Sequence, residues 1–134
     1  MKHAAAVGSF GVVGALLRYG VGLWTSGWWS SPFPLGTLAI NMLGSLFLGW
    51  FAAWAGSRSE LPVWLRLGIG TGLVGSFTTF STFSAETVGL IRDRLPGAAA
   101  LYVLLSMAGG LALAWAGNGL FRAQTRRRER GVKP

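Results

Sequence analysis

The sequence predicts an all-α integral membrane protein, and three observations support that prediction. Hydrophobic residues make up 51% of the 134 residues. Charged residues make up only 12%, whereas a soluble domain usually carries about a quarter. The apolar residues form four blocks, each near the roughly 20 residues that a helix needs to cross the hydrocarbon core. We therefore predict a single four-helix transmembrane unit over residues 1–134, with no separate soluble domain.

The predicted spans follow one another with short connections. They cover residues 4–24, 33–55, 63–90 and 97–120, and a basic C-terminal tail occupies 121–134. Proline residues precede the second, third and fourth spans, where a helix start tolerates them. Tryptophan residues cluster near the ends of the spans, at the depth where indole rings anchor a protein among lipid headgroups.

The first and second spans carry few polar side chains. Arg18 lies near the end of the first span, where it can extend to the interface or supply positive potential at a pore mouth. The second span carries Thr37, Asn41 and Ser45 at intervals of four, on one helix face. An amide near mid-bilayer needs partners. Asn41 therefore serves either as an interhelical contact or as a group that faces a polar ligand or an ion path.

The third span contains the most informative segment, which reads G-S-F-T-T-F-S-T-F-S from Gly75 to Ser84. The hydroxyl groups of this segment would point around an unbroken helix, so some would face lipid unless they bond to backbone carbonyls. The alternative is a helix broken near 75–79, which a membrane tolerates only where the backbone is buried or lines a cavity. Freed carbonyls would bind a cation, and the next helix N-terminus would favour an anion.

Aromatic and hydroxyl side chains follow at helical spacing. Phe80 and Phe83 lie three apart, and their ring edges can either face an anion or simply pack. In the fourth span, Tyr102 and Ser106 lie four apart, as a hydroxyl stripe or a packing contact. Glu86 follows the third-span segment near the interface, and the sequence gives it no physical role.

Residue content excludes several classes of function. The chain has no cysteine and a single histidine near its N-terminus, which argues against a thiolate or histidine metal centre and against a membrane enzyme. No carboxylate lies at a clear mid-span position, which argues against a proton-coupled antiporter. A small multidrug-type antiporter that depends on Glu86 stays an alternative, as does a non-transporting subunit of a membrane complex.

Positive charge is concentrated in the tail. With four spans, one side of the membrane carries nine Lys and Arg residues and the other carries three. Six of the nine belong to the tail: Arg122, Arg126, Arg127, Arg128, Arg130 and Lys133. We expect this tail to face the cytoplasm and contact anionic lipid rather than nucleic acid.

Three motifs resemble the Fluc (CrcB) fluoride channel family. They are G-A-L-L-R-Y from Gly14, G-T-L-A-I-N-M-L-G-S-L-F from Gly36, and G-S-F-T-T-F-S-T-F-S-A-E from Gly75. The resemblance covers nearly the whole chain, and the third motif is the most specific. It implies a passive channel, not an enzyme, that exports fluoride across the bacterial inner membrane and so protects the cell from fluoride toxicity.

The resemblance also implies an assembly and a set of site residues. The assembly is an antiparallel, dual-topology homodimer with two pores, whose subunits each have four transmembrane helices with the third helix broken mid-membrane. A structural Na⁺ lies on the two-fold axis, bound by the backbone carbonyls of Gly75 and Thr78 at the helix break. The implied ion pathway consists of Asn41, Phe80, Phe83, Ser81, Thr37, Tyr102, Ser106 and Arg18. A dual-topology chain should carry little charge bias, so the tail leaves open whether this chain inserts mostly one way.

Overall fold

The computed structural model describes the backbone of residues 1–131 and the side chains of residues 1–127. Within that range all regular secondary structure is helical, which confirms the all-α prediction. The end of the predicted tail, including Lys133, lies outside the described residues, as do the side chains of Arg128 and Arg130.

The described chain contains seven α-helices and two π-helical segments, joined by short connections. The α-helices are α1 (Lys2–Ser26), α2 (Leu35–Gly56), α3 (Val63–Leu67), α4 (Gly75–Phe77), α5 (Phe80–Arg92), α6 (Pro96–Leu104) and α7 (Gly110–Gly131). The π-helical segments Gly68–Val74 and Leu105–Gly109 join α3 to α4 and α6 to α7. Among the described helices, three stretches are long and apolar enough to cross a membrane: Lys2–Ser26, Leu35–Gly56 and Pro96–Arg127.

The remaining helical path, over residues 63–92, is interrupted after α4. Thr78 has φ −77° and ψ 157°, and Thr79 has φ −146° and ψ 124°. Both residues are extended rather than helical. The third predicted span is therefore broken, and the break lies at the C-terminal end of the predicted segment 75–79.

Glycine residues let the helices approach one another closely. A Cβ atom added at Gly14 of α1 would overlap the carbonyl group of Leu73. On the opposing π-helical segment, a Cβ at Gly72 would lie 2.6 Å from the carbonyl oxygen of Val7. Since apolar surface gains little from leaving lipid, membrane helices associate through close packing of this kind. The contact fixes α1 against the first half of the broken path.

Close glycine contacts also join α2 to α7. A Cβ added at Gly49 would overlap the carbonyl of Ala114, and one added at Gly117 would overlap the carbonyl of Leu46. Each helix therefore presents a glycine to the backbone of the other. This contact sets the position of α2, which carries Asn41.

A small apolar core connects α2, α5 and α6. It consists of Leu38, Leu90, Ala99 and Tyr102, and the Tyr102 side chain is fully buried. Phe33, Met42 and Phe83 pack against it. The core therefore holds the second half of the broken path, α5, against α2.

We predict that Gly14→Ala lowers the melting temperature of the purified protein. The added methyl group would collide with the Leu73 carbonyl, and overpacking of this kind costs about 1–3 kcal/mol. The higher helix propensity of alanine offsets only about 1 kcal/mol of that. Gly8→Ala on the same helix is the matched control, because nothing lies within 4 Å of a Cβ at Gly8. Equal melting temperatures for the two variants would contradict the packing role.

Candidate functional site

Asn41 binds the backbone at the break in the third helical path. Its Oδ1 atom accepts a hydrogen bond from the Thr79 N–H at 2.8 Å, and its Nδ2 atom donates to the Thr79 carbonyl at 3.0 Å. In a continuous helix, the Thr79 N–H would instead donate to the carbonyl of Gly75, four residues earlier. Asn41 therefore satisfies both polar groups of Thr79 and releases the Gly75 carbonyl from its helical partner.

Thr79 also begins the next helix. Its side-chain oxygen accepts a hydrogen bond from the Thr82 N–H at 3.2 Å, the geometry of an N-terminal cap. In a continuous helix, that N–H would donate to the carbonyl of Thr78. The carbonyls of Gly75 and Thr78 thus both lose the donor that a regular helix would give them.

These carbonyls meet the chemical requirement of a hard cation. Sodium and similar ions prefer oxygen ligands, and carbonyls of unwound membrane helices are known to supply them. Gly75 is exposed on the surface of the chain, and nothing lies within 4 Å of a Cβ added there. The carbonyls of Gly75 and Thr78 fit a cation, but two oxygens cannot surround one. Such a site needs further oxygen ligands in addition to these two carbonyls.

The N-terminus of α5 lies on the other side of the break. The first N–H groups of a helix have no intrahelical acceptor and carry partial positive charge, so they favour an anion. α5 has 13 residues, long enough for a full N-terminal turn. The break therefore places carbonyl oxygens and free N–H groups within a few residues of one another.

Phe80 and Phe83 lie on one face at the start of α5. Their ring centroids are 5.8 Å apart with an interplanar angle of 41°. Phe80 is 80% exposed, whereas Phe83 packs against Tyr102 with a centroid distance of 5.1 Å. Phe83 is therefore held by the core, and Phe80 projects from the surface of a single chain.

A groove of about 320 Å³ opens beside this pair of rings. Its walls come from α2, both halves of the broken path and the second π-helical segment. The lining residues are Asn41, Gly44, Ser45, Leu48, Val74, Thr78, Thr79, Phe80, Phe83, Ser106 and Met107. The groove thus contains an amide, hydroxyl groups and aromatic rings, and none of these described lining residues is a carboxylate.

Ser106 has a polar atom that the described chain does not satisfy. Its Oγ atom is buried and makes no hydrogen bond within the described residues. Buried hydroxyl groups nearly always have a partner, so an orphan one indicates a missing water, ion or ligand. Ser106 lines the groove with Asn41, so the groove offers an unused hydroxyl group to a polar species.

A second polar cluster lies around Glu86. The Thr37 hydroxyl donates to Glu86 Oε1 at 2.8 Å, and the Tyr102 hydroxyl donates to Glu86 Oε2 at 2.7 Å. Both carboxylate oxygens are therefore occupied by hydroxyl donors. In this arrangement the protons of Thr37 and Tyr102 point toward a carboxylate and not toward a passing ion.

The sequence missed this role of Glu86. One signal was available, because Glu86 follows Phe83 by three residues and shares its helix face. Thr37 likewise lies one turn before Asn41 on α2. The sequence could not reveal that these two faces meet, since that depends on how α2 and α5 are rotated.

The other predicted site residues are more peripheral. Ser81 is exposed, and its Oγ atom lies 3.3 Å from that of Thr79. Arg18 is half-buried on α1 and is not among the described residues that line the groove. The structure thus brings Asn41, Phe80 and the remaining groove residues together, and it does not bring Arg18 to them.

The described chain is a helical membrane protein with an interrupted helix and a polar groove at the break, an arrangement that membrane transport proteins use for substrate and ion sites. The chain belongs to the CrcB family. The family model described as "CrcB-like protein, Camphor Resistance (CrcB)" matches residues 5–118. The family resemblance drawn from the three motifs is thereby confirmed.

Curated relatives match most of the chain. "Fluoride-specific ion channel FluC 2" of Geobacillus kaustophilus is 47% identical over 124 residues, which are 92% of this chain and 95% of the relative. "Fluoride-specific ion channel FluC 1" of Bacillus cereus is 47% identical over 114 residues, 85% of this chain and 83% of the relative. "Fluoride-specific ion channel FluC" of Pseudomonas fluorescens is 40% identical over 119 residues, which are 89% of this chain and 96% of the relative.

We predict that Asn41→Ala destabilises the protein strongly. The variant leaves the N–H and carbonyl of Thr79 without partners, and each buried unsatisfied group costs about 1–3 kcal/mol. Thermal unfolding in detergent measures the loss. Ser45→Ala is the control, because Ser45 lies one turn further along α2 and lines the same groove. If Ser45→Ala lowered the melting temperature as much, Asn41 would have no special structural role.

Proposed function

We propose that this chain is a fluoride-specific ion channel in the bacterial plasma membrane. The proposal rests on its membership of the CrcB family and on a relative named a fluoride-specific ion channel that is 47% identical over 92% of its length. The structural observation that supports it best is the buried, unpaired Ser106 hydroxyl in a groove bordered by Asn41 and two phenyl rings. The activity is passive ion transport, not catalysis.

The donors in the groove suit a small, strongly hydrated anion. Leaving water costs such an ion a large hydration free energy, so donors must replace the water along its route. Ser106 offers a hydroxyl group, and Asn41 has two amide N–H donors, of which the Thr79 carbonyl takes one. The positive ring edges of Phe80 and Phe83 add a weak attraction that lets the ion leave again.

Glu86 determines whether two further hydroxyl groups, those of Thr37 and Tyr102, are free to donate to an ion. Thr37 and Tyr102 donate to its carboxylate, so a fluoride ion that reaches them competes with that carboxylate for the same protons. We propose that the carboxylate swings away as the anion arrives, so that both hydroxyls turn to fluoride in a single exchange. Arg18 would act at longer range, by raising the potential at a vestibule.

The direction of transport follows from acid–base chemistry. Hydrofluoric acid crosses the membrane as neutral HF and dissociates in the cytoplasm. A passive path for the anion then returns F⁻ to the outside, because the negative interior potential drives anions outward. Export by this route needs no coupled proton and protects the cell from fluoride.

We further propose four membrane spans per chain and an antiparallel homodimer. The interrupted path over residues 63–92 would be the third span, between α2 and the Pro96–Arg127 helix. Phe80 and Gly75 are exposed on the single chain, although lipid penalises the open backbone beside them. A second copy would cover that face and complete the groove.

The same pairing would complete a Na⁺ site. Each chain offers the carbonyls of Gly75 and Thr78, and two chains related by a two-fold axis would offer four oxygens around the ion. A cation fixed there would stabilise the dimer and raise the local potential for anions.

The decisive experiment is fluoride efflux from liposomes that contain the purified protein. We expect rapid F⁻ release, measured with a fluoride electrode, when a potassium ionophore balances the charge. Chloride release under the same conditions should be much slower. Equal release of F⁻ and Cl⁻, or release that requires a pH gradient, would contradict a selective passive channel and would favour an antiporter.

Replacing either phenylalanine by isoleucine should slow the efflux. Loss of a ring-edge contact of about 0.7–1.4 kcal/mol corresponds to roughly a three- to tenfold lower rate. Trp115→Leu is the control, because Trp115 is also an exposed aromatic residue, at 81% against 80% for Phe80. Unchanged rates for Phe80→Ile and Phe83→Ile, in well-folded protein, would remove both rings from the ion pathway.

Sodium should stabilise the purified dimer. We expect a higher melting temperature in NaCl than in choline chloride at equal ionic strength, because choline is too large to enter a cage of four carbonyls. The Phe80→Ile variant should keep the same sodium dependence, since its backbone is unchanged. Identical melting temperatures in the two salts would contradict a structural Na⁺.

A further inference from the structure

We propose that a second site, distant from the groove, binds the headgroup of an anionic phospholipid. It is a pocket of about 740 Å³ between the end of α2 and the distal part of α7. We call it the Trp50–Arg127 pocket. Its lining residues are Trp50, Trp54, Ser57, Arg58, Phe121, Gln124, Thr125 and Arg127. The proposal does not depend on which ion the protein conducts.

The pocket lies at the depth of lipid headgroups. The helix Pro96–Arg127 has 32 residues, and at 1.5 Å per residue it is about 48 Å long. A hydrocarbon core is about 30 Å thick, so the end of this helix extends into the headgroup region. Trp50 and Trp54 lie beside it, and indole rings prefer the same depth.

The aromatic wall of the pocket is held in place by contacts within the chain. The Trp50 and Trp54 rings stack, with centroids 6.2 Å apart and an interplanar angle of 7°. The Trp50 indole N–H donates to Gln124 Oε1 at 3.2 Å and so links α2 to α7. The wall is therefore fixed, and its flat apolar faces suit the glycerol and upper acyl carbons of a lipid.

The charge of the pocket suits a phosphate. Arg58 lies on the loop after α2, and Arg127 lies on α7, so the two guanidinium groups come from separate elements. No carboxylate occurs among the described residues that line the pocket. The loop is itself anchored, because Arg66 Nη2 donates to the carbonyl of Arg58 at 3.4 Å. Guanidinium groups bind phosphate oxygens with paired, charge-assisted hydrogen bonds.

The combination selects a lipid over a free anion. Inorganic phosphate would use the two arginines but leave the tryptophan wall without a contact. A zwitterionic lipid would bring a second, positive group toward the same arginines. An anionic phospholipid satisfies both features, with its phosphate at Arg58 and Arg127 and its glycerol backbone against Trp50 and Trp54.

The test measures how many phosphatidylglycerol molecules the purified protein retains in a neutral detergent, by native mass spectrometry. Phosphatidylcholine and inorganic phosphate serve as competing probes. We expect retention of phosphatidylglycerol over phosphatidylcholine. Each basic residue near an anionic lipid accounts for about fivefold in affinity, so Arg58→Gln with Arg127→Gln should weaken binding about 25-fold.

Two further variants separate a defined site from diffuse attraction. Arg122→Gln with Arg126→Gln removes the same charge from α7 outside the pocket, and it should weaken binding by less than about twofold. Arg58→Lys with Arg127→Lys keeps the charge but not the guanidinium fork, and it should bind less tightly than the native pair and more tightly than the glutamine pair. An unchanged melting temperature of the glutamine pair shows that its loss of binding does not come from misfolding. Equal losses in the two glutamine pairs, no preference over phosphatidylcholine, or displacement by millimolar inorganic phosphate would overturn the proposal.

Discussion

The pair of hydrogen bonds between Asn41 and the backbone of Thr79 is the interaction on which the rest of the site depends. A break in a membrane helix exposes backbone N–H and C=O groups where water is absent, and each unsatisfied group is costly. Asn41 fits the position because its amide accepts and donates at once. Aspartate would offer only acceptors to the Thr79 carbonyl, and leucine would offer nothing.

Several features of the site follow from these two hydrogen bonds. Once the Thr79 N–H donates to Asn41, the Gly75 carbonyl is released, and Thr79 caps α5 in place of the Thr78 carbonyl. Carbonyl oxygens and helix N–H groups then lie close together at membrane depth. The same break fixes the start of α5, which sets where Phe80 and Phe83 emerge. The close contacts of Gly14 with Leu73 and of Gly49 with Ala114 hold α1 and α7 against their neighbours, so that Asn41 can reach Thr79.

Much of the fold and part of the site were predictable from the sequence. The apolar blocks predicted the helices, and the hydroxyl-rich segment after Gly75 suggested a broken helix as one of two alternatives. Asn41, Phe83 and Ser106, which only the family resemblance grouped together, line one groove. Glu86 received no role from the sequence, because its partners Thr37 and Tyr102 belong to other helices. The hydroxyl groups of Thr37 and Tyr102, which the family resemblance assigns to the ion pathway, donate to that carboxylate in the single chain.

The sequence alone determined where the chain is helical and which residues are too polar to face lipid, because both properties depend on composition and short-range spacing. Only the tertiary structure decided where the polar groups find partners. Asn41 bonds a residue 38 positions away, and Thr37 bonds one 49 positions away. Such pairings depend on the rotation of each helix about its axis. That rotation is set by glycine contacts between helices, which no local pattern contains.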